Sequence, residues 1–325
     1  MHHIGHLENQ VLVGRDGYLF LAGGAHNVLK MVSGSKTVSD ASKTAFAYNI
    51  KFRSDWSAHA NTNFLHIIFP DKQSIIPHAW PLSEPKQLGS EFASDTDDAE
   101  ANVVYPTKLL QRFSELAISR VDTHLTAAGA ILIAGYLASR ILHSDQMETA
   151  LALVDVVTLK EEVSGDLGSK FDPPLLATES VCRQQGPGTF LSNNLKGGNN
   201  GIIDLRINQT AIHKKRLLIF GDSFARQFSR YLAYWFSEVV FLRTPFFHPD
   251  IADLYRPDFL ITENSERYLD TIKSDNERPF FFSFPHLRGV PYDPPAAFAE
   301  GLSALLSFPR MPYKHFMTKQ AVAEI

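Results

Sequence analysis

Two short stretches carry residue types that do acyl chemistry. Residues 216–232 read RLLIFGDSFARQFSRYL, and residues 121–130 read VDTHLTAAGA. In the first, the apolar run Leu217–Phe220 stops at Gly221-Asp222-Ser223 and a helical pattern follows at once. A serine at such a junction is either a nucleophile or an ordinary N-cap. As a nucleophile, Ser223 would be delivered by a buried strand to the carboxyl edge of a sheet, where α/β sites lie. Gly221 would let the backbone turn tightly, and the helix start would offer N–H groups and a positive dipole end to an oxyanion. As a cap, it would be one of the commonest residues for that position.

A serine nucleophile needs a base, and the base needs an acceptor that orients it. Thirteen histidines are available. His59, His66, His78, His213, His248 and His286 have no obvious orienter and read as surface or core histidines. His124 differs: in Asp122-Thr123-His124 a carboxylate two residues away can reach the imidazole Nδ1. Such a pair also arises by chance, so each stretch alone keeps its ordinary reading. Together they allow a Ser-His-Asp set, which can occur in any chain order because geometry defines it.

Other polar residues fall near the expected site. Asp222 can stabilise the turn or touch substrate. Glu263 and Arg267 lie just past the strand pattern PDFLI and can bind a sugar or anionic donor, or lock the loop as a pair with Ser265 as N-cap. Lys72 ends the apolar run 64–69 and can do either job. Tyr18, Trp56 and Trp80 can stack on sugar rings or pack in the core.

The elements that must position these residues follow from the patterning. VLVGRDGYLFL (11–21) predicts a hairpin about Asp-Gly. Apolar spacing predicts a helix over 40–63, and the continuous run 64–69 predicts a buried parallel strand. Residues 81–104, with the acidic run 94–100, read as a surface loop. Helices are predicted over 106–119, over 127–142 with Thr126 as N-cap, and over 224–236. VVFLR (239–243), PDFLITE (257–263) and PFFFSF (279–284) predict three more strands. Residues 158–215 are rich in Gly, Asn, Pro and Ser, with IIDLRI as a hidden strand, and read as a loop-rich rim or lid. Strands alternating with helices predict a doubly wound, mostly parallel sheet.

Composition narrows the function. The chain has 325 residues, a formal net charge of -4 and a pI near 6.3, which speaks against a nucleic-acid surface. Phe is unusually common, at 24 residues, and predicts an aromatic-rich core or groove. The single cysteine, Cys182, can form neither an internal disulfide nor a multi-thiolate zinc site and reads as an inert thiol. No metal constellation and no Gly-rich nucleotide motif stands out, so neither a metal nor a cofactor is expected. No signal peptide and no apolar run of membrane-spanning length is visible. The chain as written therefore reads as cytoplasmic.

The ordered set GRDGYLFLAGG (14–24), IIFPDKQSIIP (67–77), VDTHLTAAGA (121–130), SGDLGSK (164–170), LLIFGDSFARQF (217–228) and PDFLITENSERYL (257–269) resembles the alginate O-acetylation proteins of the AlgX/AlgJ type. In that family the Asp-x-His pair precedes the Gly-Asp-Ser block, as here. The resemblance implies an SGNH-hydrolase-like (flavodoxin-like) α/β sandwich with a central, mostly parallel sheet. It implies one such domain over 1–325, with a loop-rich insertion around 158–215. It implies Ser223 as nucleophile, His124 as base and Asp122 as its orienter in an O-acetyltransferase acting on a polysaccharide. The donor would be an acetyl compound or a membrane acetyl-transfer partner. A carbohydrate acetylesterase using the same three residues and a non-catalytic glycan-binding component are the alternatives. Many members carry Trp after the histidine, where this chain has Leu125. The family also implies a periplasmic or cell-envelope role, which would need an export segment not seen here.

Overall fold

The computed structural model describes residues 3–24, 27–93, 102–182, 186–196 and 198–306, so the acidic run 94–100 lies outside the described residues. The strands are β1 (Leu7–Glu8), β2 (Val11–Val13), β3 (Leu19–Leu21), β4 (Asn63–Phe69), β5 (Val103–Val104), β6 (Leu159–Val163), β7 (Ala177–Val181), β8 (Thr189–Ser192), β9 (Ile203–Ile207), β10 (His213–Gly221), β11 (Phe236–Arg243) and β12 (Phe259–Ser265). Seven of them form the main sheet, in the order β5-β4-β12-β10-β11-β9-β8. β10 is parallel to β11 and to β12, while β9 and β8 add an antiparallel edge. This is the mostly parallel α/β sheet that the SGNH-hydrolase-like reading expects.

The chain folds as two interleaved units. One comprises Met1–Lys43, Ile67–Gln184 and Asn264–Ile272; the other comprises Thr44–His66, Gln185–Glu263 and Lys273–Ile325.

In the second unit, Leu217–Phe220 pairs on both sides, Leu217 with Val239 and Phe259, Phe220 with Leu242 and Thr262. A strand covered on both edges and both faces has no use for alternation, which is why this stretch is apolar throughout. Leu218 and Phe220 pack with Val240, Leu242, Phe247 and Leu260 in one cluster. Each such side chain, fully buried, contributes about 1.5–3 kcal/mol of transfer free energy. The sequence PFFFSF does not form the expected strand. Phe281–Ser283 is a 3-10 turn and Phe284–Leu287 a short helix with Pro285 in its first turn. Proline has no N–H for a ladder but suits a helix start, and Phe281 packs edge-on against His248 and Phe284.

In the first unit, β2 and β3 form the expected hairpin, Val11 opposite Leu21 and Val13 opposite Leu19. Asp16 and Gly17 take left-handed φ values of 56° and 78°, as the tight connection needs. The helix Ala127–Leu142 begins at Thr126, whose Oγ1 accepts the Gly129 N–H at 3.1 Å. Its small residues permit close approach: a Cβ on Gly129 would sit 2.3 Å from the Ala117 carbonyl oxygen, and one on Gly135 2.4 Å from Ala150 Cβ. Among the described residues, the stretch 158–215 contains the strands β6, β7, β8 and β9 and the start of β10. β6 and β7 pair with each other, and β8 and β9 join the main sheet, β9 being the hidden strand of IIDLRI. No helix among the described residues is long and apolar enough to cross a membrane.

Candidate active site

The serine turn belongs to the second unit. β10 ends at Gly221, and the helix Ser223–Leu232 follows directly. Its N-cap is Asp222, whose Oδ1 accepts the Phe224 N–H at 2.8 Å. Ser223 is therefore the first helical residue and not the cap. The Ser223 N–H lies in the first turn, where no intrahelical acceptor exists. Glu263, 2% exposed within neighbouring β12, accepts the Asp222 N–H at 2.8 Å through Oε2. A Cβ on Gly221 would come within 2.6 Å of that same oxygen and of Ala225 Cβ. Glycine is required here by close approach: strand, helix and carboxylate converge on one residue.

The histidine pair belongs to the first unit. Residues 118–125 form a loop closed by an antiparallel bridge between Ile118 and Leu125. Leu125 is buried and serves the core. Within the loop, Asp122 Oδ1 accepts from both the His124 N–H and His124 Nδ1, each at 2.8 Å. An ionised carboxylate only accepts, so Nδ1 carries the proton and Nε2 is the basic nitrogen. Burial alone would raise the Asp122 carboxyl, but the His124 ring, the His124 N–H and the Asp166 N–H together hold it well below the usual carboxylate range. Asp122 and His124 side chains keep 28% and 30% of their exposure, enough for a reacting group to reach them.

A set of supports that spacing did not reveal holds this loop. Asp166 donates its N–H to Asp122 Oδ2 at 2.9 Å, and its carboxylate takes the Thr123 N–H and Oγ1, both at 2.6 Å. Gly165, at φ 56°, brings that segment close: a Cβ there would lie 2.4 Å from the Val121 carbonyl oxygen. The Val121 oxygen in turn accepts from Leu167 and Gly168. Ser119 Oγ accepts the Asp122 N–H at 2.8 Å and donates to Glu179 on β7. The motif SGDLGSK was visible in the sequence, but nothing local indicated that its aspartate grips Asp122-Thr123-His124.

Lys72, Arg267 and their neighbours lie in the same unit and have internal partners. Lys72 is 8% exposed, and its Nζ donates to the carbonyl oxygens of Leu19 at 2.8 Å and of Asp122 at 2.7 Å. Burial pushes its ammonium down to about 8. Arg267 Nη1 meets Asp71 Oδ1 at 2.6 Å with both side chains almost covered. Next to it Glu266 accepts from the Asp71 N–H, the Gly89 N–H and Tyr105 OH. Burial, and secondarily Asp71, push the Glu266 carboxyl up to about 7. Of the three candidate sugar platforms, Tyr18 and Trp80 are buried, and Trp56 packs on Phe247 while its Nε1 donates to Asp253. His66 and His248 are buried, and burial pushes both imidazoles down, His248 to about 4.

Ser223 lines an open cleft of about 400 Å³ in the second unit, together with Arg226 and Arg230 of its own helix and Asp204 and Arg206 of β9. Sequence reasoning missed these arginines. The helical spacing from Ser223 could have shown Arg226 and Arg230, but nothing in the sequence brought β9 to them. Among the described residues, Asp122, His124 and Asp166 have ligand-type atoms within 4.8 Å of one another. Their proximity follows from the hydrogen bonds above, which occupy Nδ1 and both Asp122 oxygens.

No protein-family model matches the chain, and no curated protein matches it. Solved structures do. Bacillus cereus PatB1, in a structure with a sulfonyl adduct, superposes with a TM-score of 0.54 at 12% identity, over 81% of this chain and 100% of that one. A DHHW family protein from Eubacterium siraeum superposes with a TM-score of 0.50 at 16% identity, over 84% and 95%. The O-acetyltransferase domain of Pseudomonas putida AlgJ gives 0.42 at 15% identity, over 83% and 95%. At such identities the first two likenesses speak to fold: this chain has the fold of PatB1 and of the DHHW protein.

Proposed function

We propose that this protein is an O-acetyltransferase that acetylates hydroxyls of a bacterial polysaccharide through Ser223, His124 and Asp122. One observation carries the reading most: Asp222 caps the helix, so Ser223 is spared the structural role that was its ordinary explanation, and it lines a cleft instead. In the reaction, His124 Nε2 takes the Ser223 hydroxyl proton as Oγ bonds to the acetyl carbonyl carbon. Asp122 holds the ring in the Nδ1–H tautomer and stabilises the imidazolium. The Ser223 N–H is a donor for the oxyanion. Collapse expels the donor's leaving group, which takes the proton back from His124. A sugar hydroxyl then repeats the sequence on the acetyl-serine.

The two units would serve one acetyl-transfer domain. The acetyl donor is a small activated acetyl compound or a membrane acetyl-transfer partner, and the work is done in the cell envelope. Lys72, Glu263 and Arg267 act in this reading as supports of the two catalytic stretches, and Asp222 as the cap that orients Ser223.

The test is intact-protein mass spectrometry after brief exposure to p-nitrophenyl acetate and, separately, to a sulfonyl fluoride. The expected result is one acetyl and one sulfonyl group on the wild type, both absent from Ser223→Ala and both slowed in His124→Ala. Addition of sugar should then discharge the acetyl group onto the glycan. Discharge to water alone would convert the reading to an esterase. Labelling that survives in Ser223→Ala would overturn it.

A further inference from the structure

Lys72 is a buried cation whose own hydrogen bonds do not explain its charge. It opens the short helix Lys72–Ile75 after β4 and is 8% exposed. Its Nζ donates to the Leu19 carbonyl oxygen at 2.8 Å and to the Asp122 carbonyl oxygen at 2.7 Å, and it lies 5.9 Å over the Phe20 ring. Both acceptors are neutral. Taking an ammonium out of water for two such bonds is costly, and burial accordingly pushes it down to about 8. Three carboxylates oppose that push: Glu179 on β7, Asp122 in the histidine loop, and Asp166 in the short helix Gly165–Gly168. Glu179 and Asp166 also hold the loop, Glu179 through Ser119 Oγ and the Arg120 N–H, Asp166 through Thr123. The backbone leads to the same place. Of three consecutive carbonyl oxygens, that of Arg120 accepts the Leu19 N–H, that of Val121 accepts from Leu167 and Gly168, and that of Asp122 accepts from Lys72. Asp122 thus has its main chain on the ammonium and its side chain on His124.

We propose that Lys72 is a positioning residue for the base: its ammonium is the internal counter-charge of Asp122, Asp166 and Glu179, and His124 keeps its reacting orientation only while that charge is present. The inference rests on the proposed function in taking His124 as the base. A neutral amine could still donate to the two carbonyl oxygens, but such bonds are weaker than charge-assisted ones. It would also leave three carboxylates around one loop without a counter-charge, and like charges so placed repel. Loss of the proton therefore loosens the Asp122 backbone, and with it the carboxylate that orients the His124 ring. Among the described residues, the charged groups that act on Lys72 are these three carboxylates. From β3 it meets only the Leu19 carbonyl and the Phe20 ring. The upper pH limit of the reaction is thereby set by a residue that touches no reactant.

The experiment follows acetylation of Ser223 by p-nitrophenyl acetate, read by intact-protein mass from about pH 6.5 to about pH 9.5, with the Ser223→Ala signal subtracted. Wild type is compared with Lys72→Met and Lys72→Arg. The wild-type rate should fall about tenfold through a midpoint near pH 8. Lys72→Met should begin about tenfold lower at neutral pH and show no such fall, a displaced base costing at least that much. Lys72→Arg, charged throughout the range, should keep its rate at the alkaline end. A lysine with a merely structural role would leave the alkaline fall in place in both variants. Circular dichroism melts accompany them, and Lys72→Arg alone decides if Lys72→Met does not fold. A second readout does not need the reaction: the hydrogen-bonded Nδ1 proton of His124, seen by proton NMR and assigned by its absence from His124→Ala. It should broaden through the same midpoint in wild type and persist in Lys72→Arg, whose spectrum controls for exchange with water at high pH. A wild-type rate that stays level to the alkaline end, or a fall that survives in either variant, overturns the proposal. A proton signal that depends on Lys72 in a protein that never acquires an acetyl group would leave the positioning standing and sink the proposed reaction.

Discussion

The two stretches with catalytic residue types are held in place by different means. The serine turn is built by regular structure: a strand paired on both sides ends, a helix starts, and one aspartate caps it. Its distant supports include Glu263, on the adjoining strand, which accepts the Asp222 N–H, and the Thr244 N–H, which donates to the Gly221 carbonyl oxygen. The histidine loop has almost no regular structure of its own. It is closed by a single bridge and gripped by side chains, Asp166, Ser119 and Lys72, that hydrogen-bond its backbone or its aspartate. A nucleophile can be placed by secondary structure because a strand-to-helix junction has one geometry. A base whose tautomer and ring plane both matter needs individual contacts.

If the proposed reaction holds, the largest effect should come from the residue that orients its base. Asp122→Asn keeps the loop's shape but presents an amide to Nδ1. In the proposed reaction acetyl transfer should fall about 10⁴-fold, and the melting temperature near pH 7 should fall too, because an amide cannot replace both accepting oxygens. An activity near wild type would remove Asp122 from the orienting role proposed for it.

The glycines come next and compare the two stretches directly. Gly165→Ala adds a clash at 2.4 Å to an unfavourable positive φ, whereas Gly221→Ala adds only a clash. Gly165→Ala should cost about 3 kcal/mol of stability, and Gly221→Ala less, though it should still impair labelling of Ser223. Urea melts of both proteins would show the order, and the reverse order would mean that the serine turn is the more constrained of the two.

Asp166→Ala and Glu263→Gln test the outer supports. The first removes two acceptors from the loop, and a displaced base is worth about 10²-fold in rate. The second keeps an amide oxygen for the Asp222 N–H, so acetylation kinetics should drop by only a few-fold.

Smaller effects should appear in the pH dependence of stability, with opposite signs. The raised Glu266 carboxyl stabilises the fold fully below its ordinary value of 4.5, and that contribution is lost as pH rises through about 7. The depressed Asp122 carboxyl contributes above its ordinary value of 3.8, and its contribution is lost as pH falls below that. Melting temperatures measured from pH 3 to pH 8 should therefore lose one slope in Glu266→Gln and the other in Asp122→Asn. The smallest effect is at Thr126, where Thr126→Ala should cost about 1 kcal/mol for the lost cap, read in the same melts.

Legibility followed sequence distance. The strand 217–220, the hairpin and the Thr126 cap were readable because each is decided within a few residues. PFFFSF was misread because a short apolar run suits a buried strand or a buried turn alike, and only Pro285 argued against the strand. The strands β6 to β9 were obscured by their glycines and prolines, and they owe their pairing to partners elsewhere in the chain. The grip of Asp166 on Asp122 spans 44 residues and that of Lys72 spans 50.

By itself, then, the sequence determined the strand-to-helix junction at Ser223, the spacing of Asp122 and His124, and the alternation that makes a parallel sheet, since local sterics and hydrophobic period decide those. Tertiary structure alone decided that Asp222 rather than Ser223 caps the helix, because the cap depends on where the chain turns as it leaves β10. It alone turned Lys72 and Arg267 inward to internal partners, and it alone brought β9 to the Ser223 helix to gather three arginines. Desolvation and charge proximity act through space, and the order of residues along the chain does not encode them.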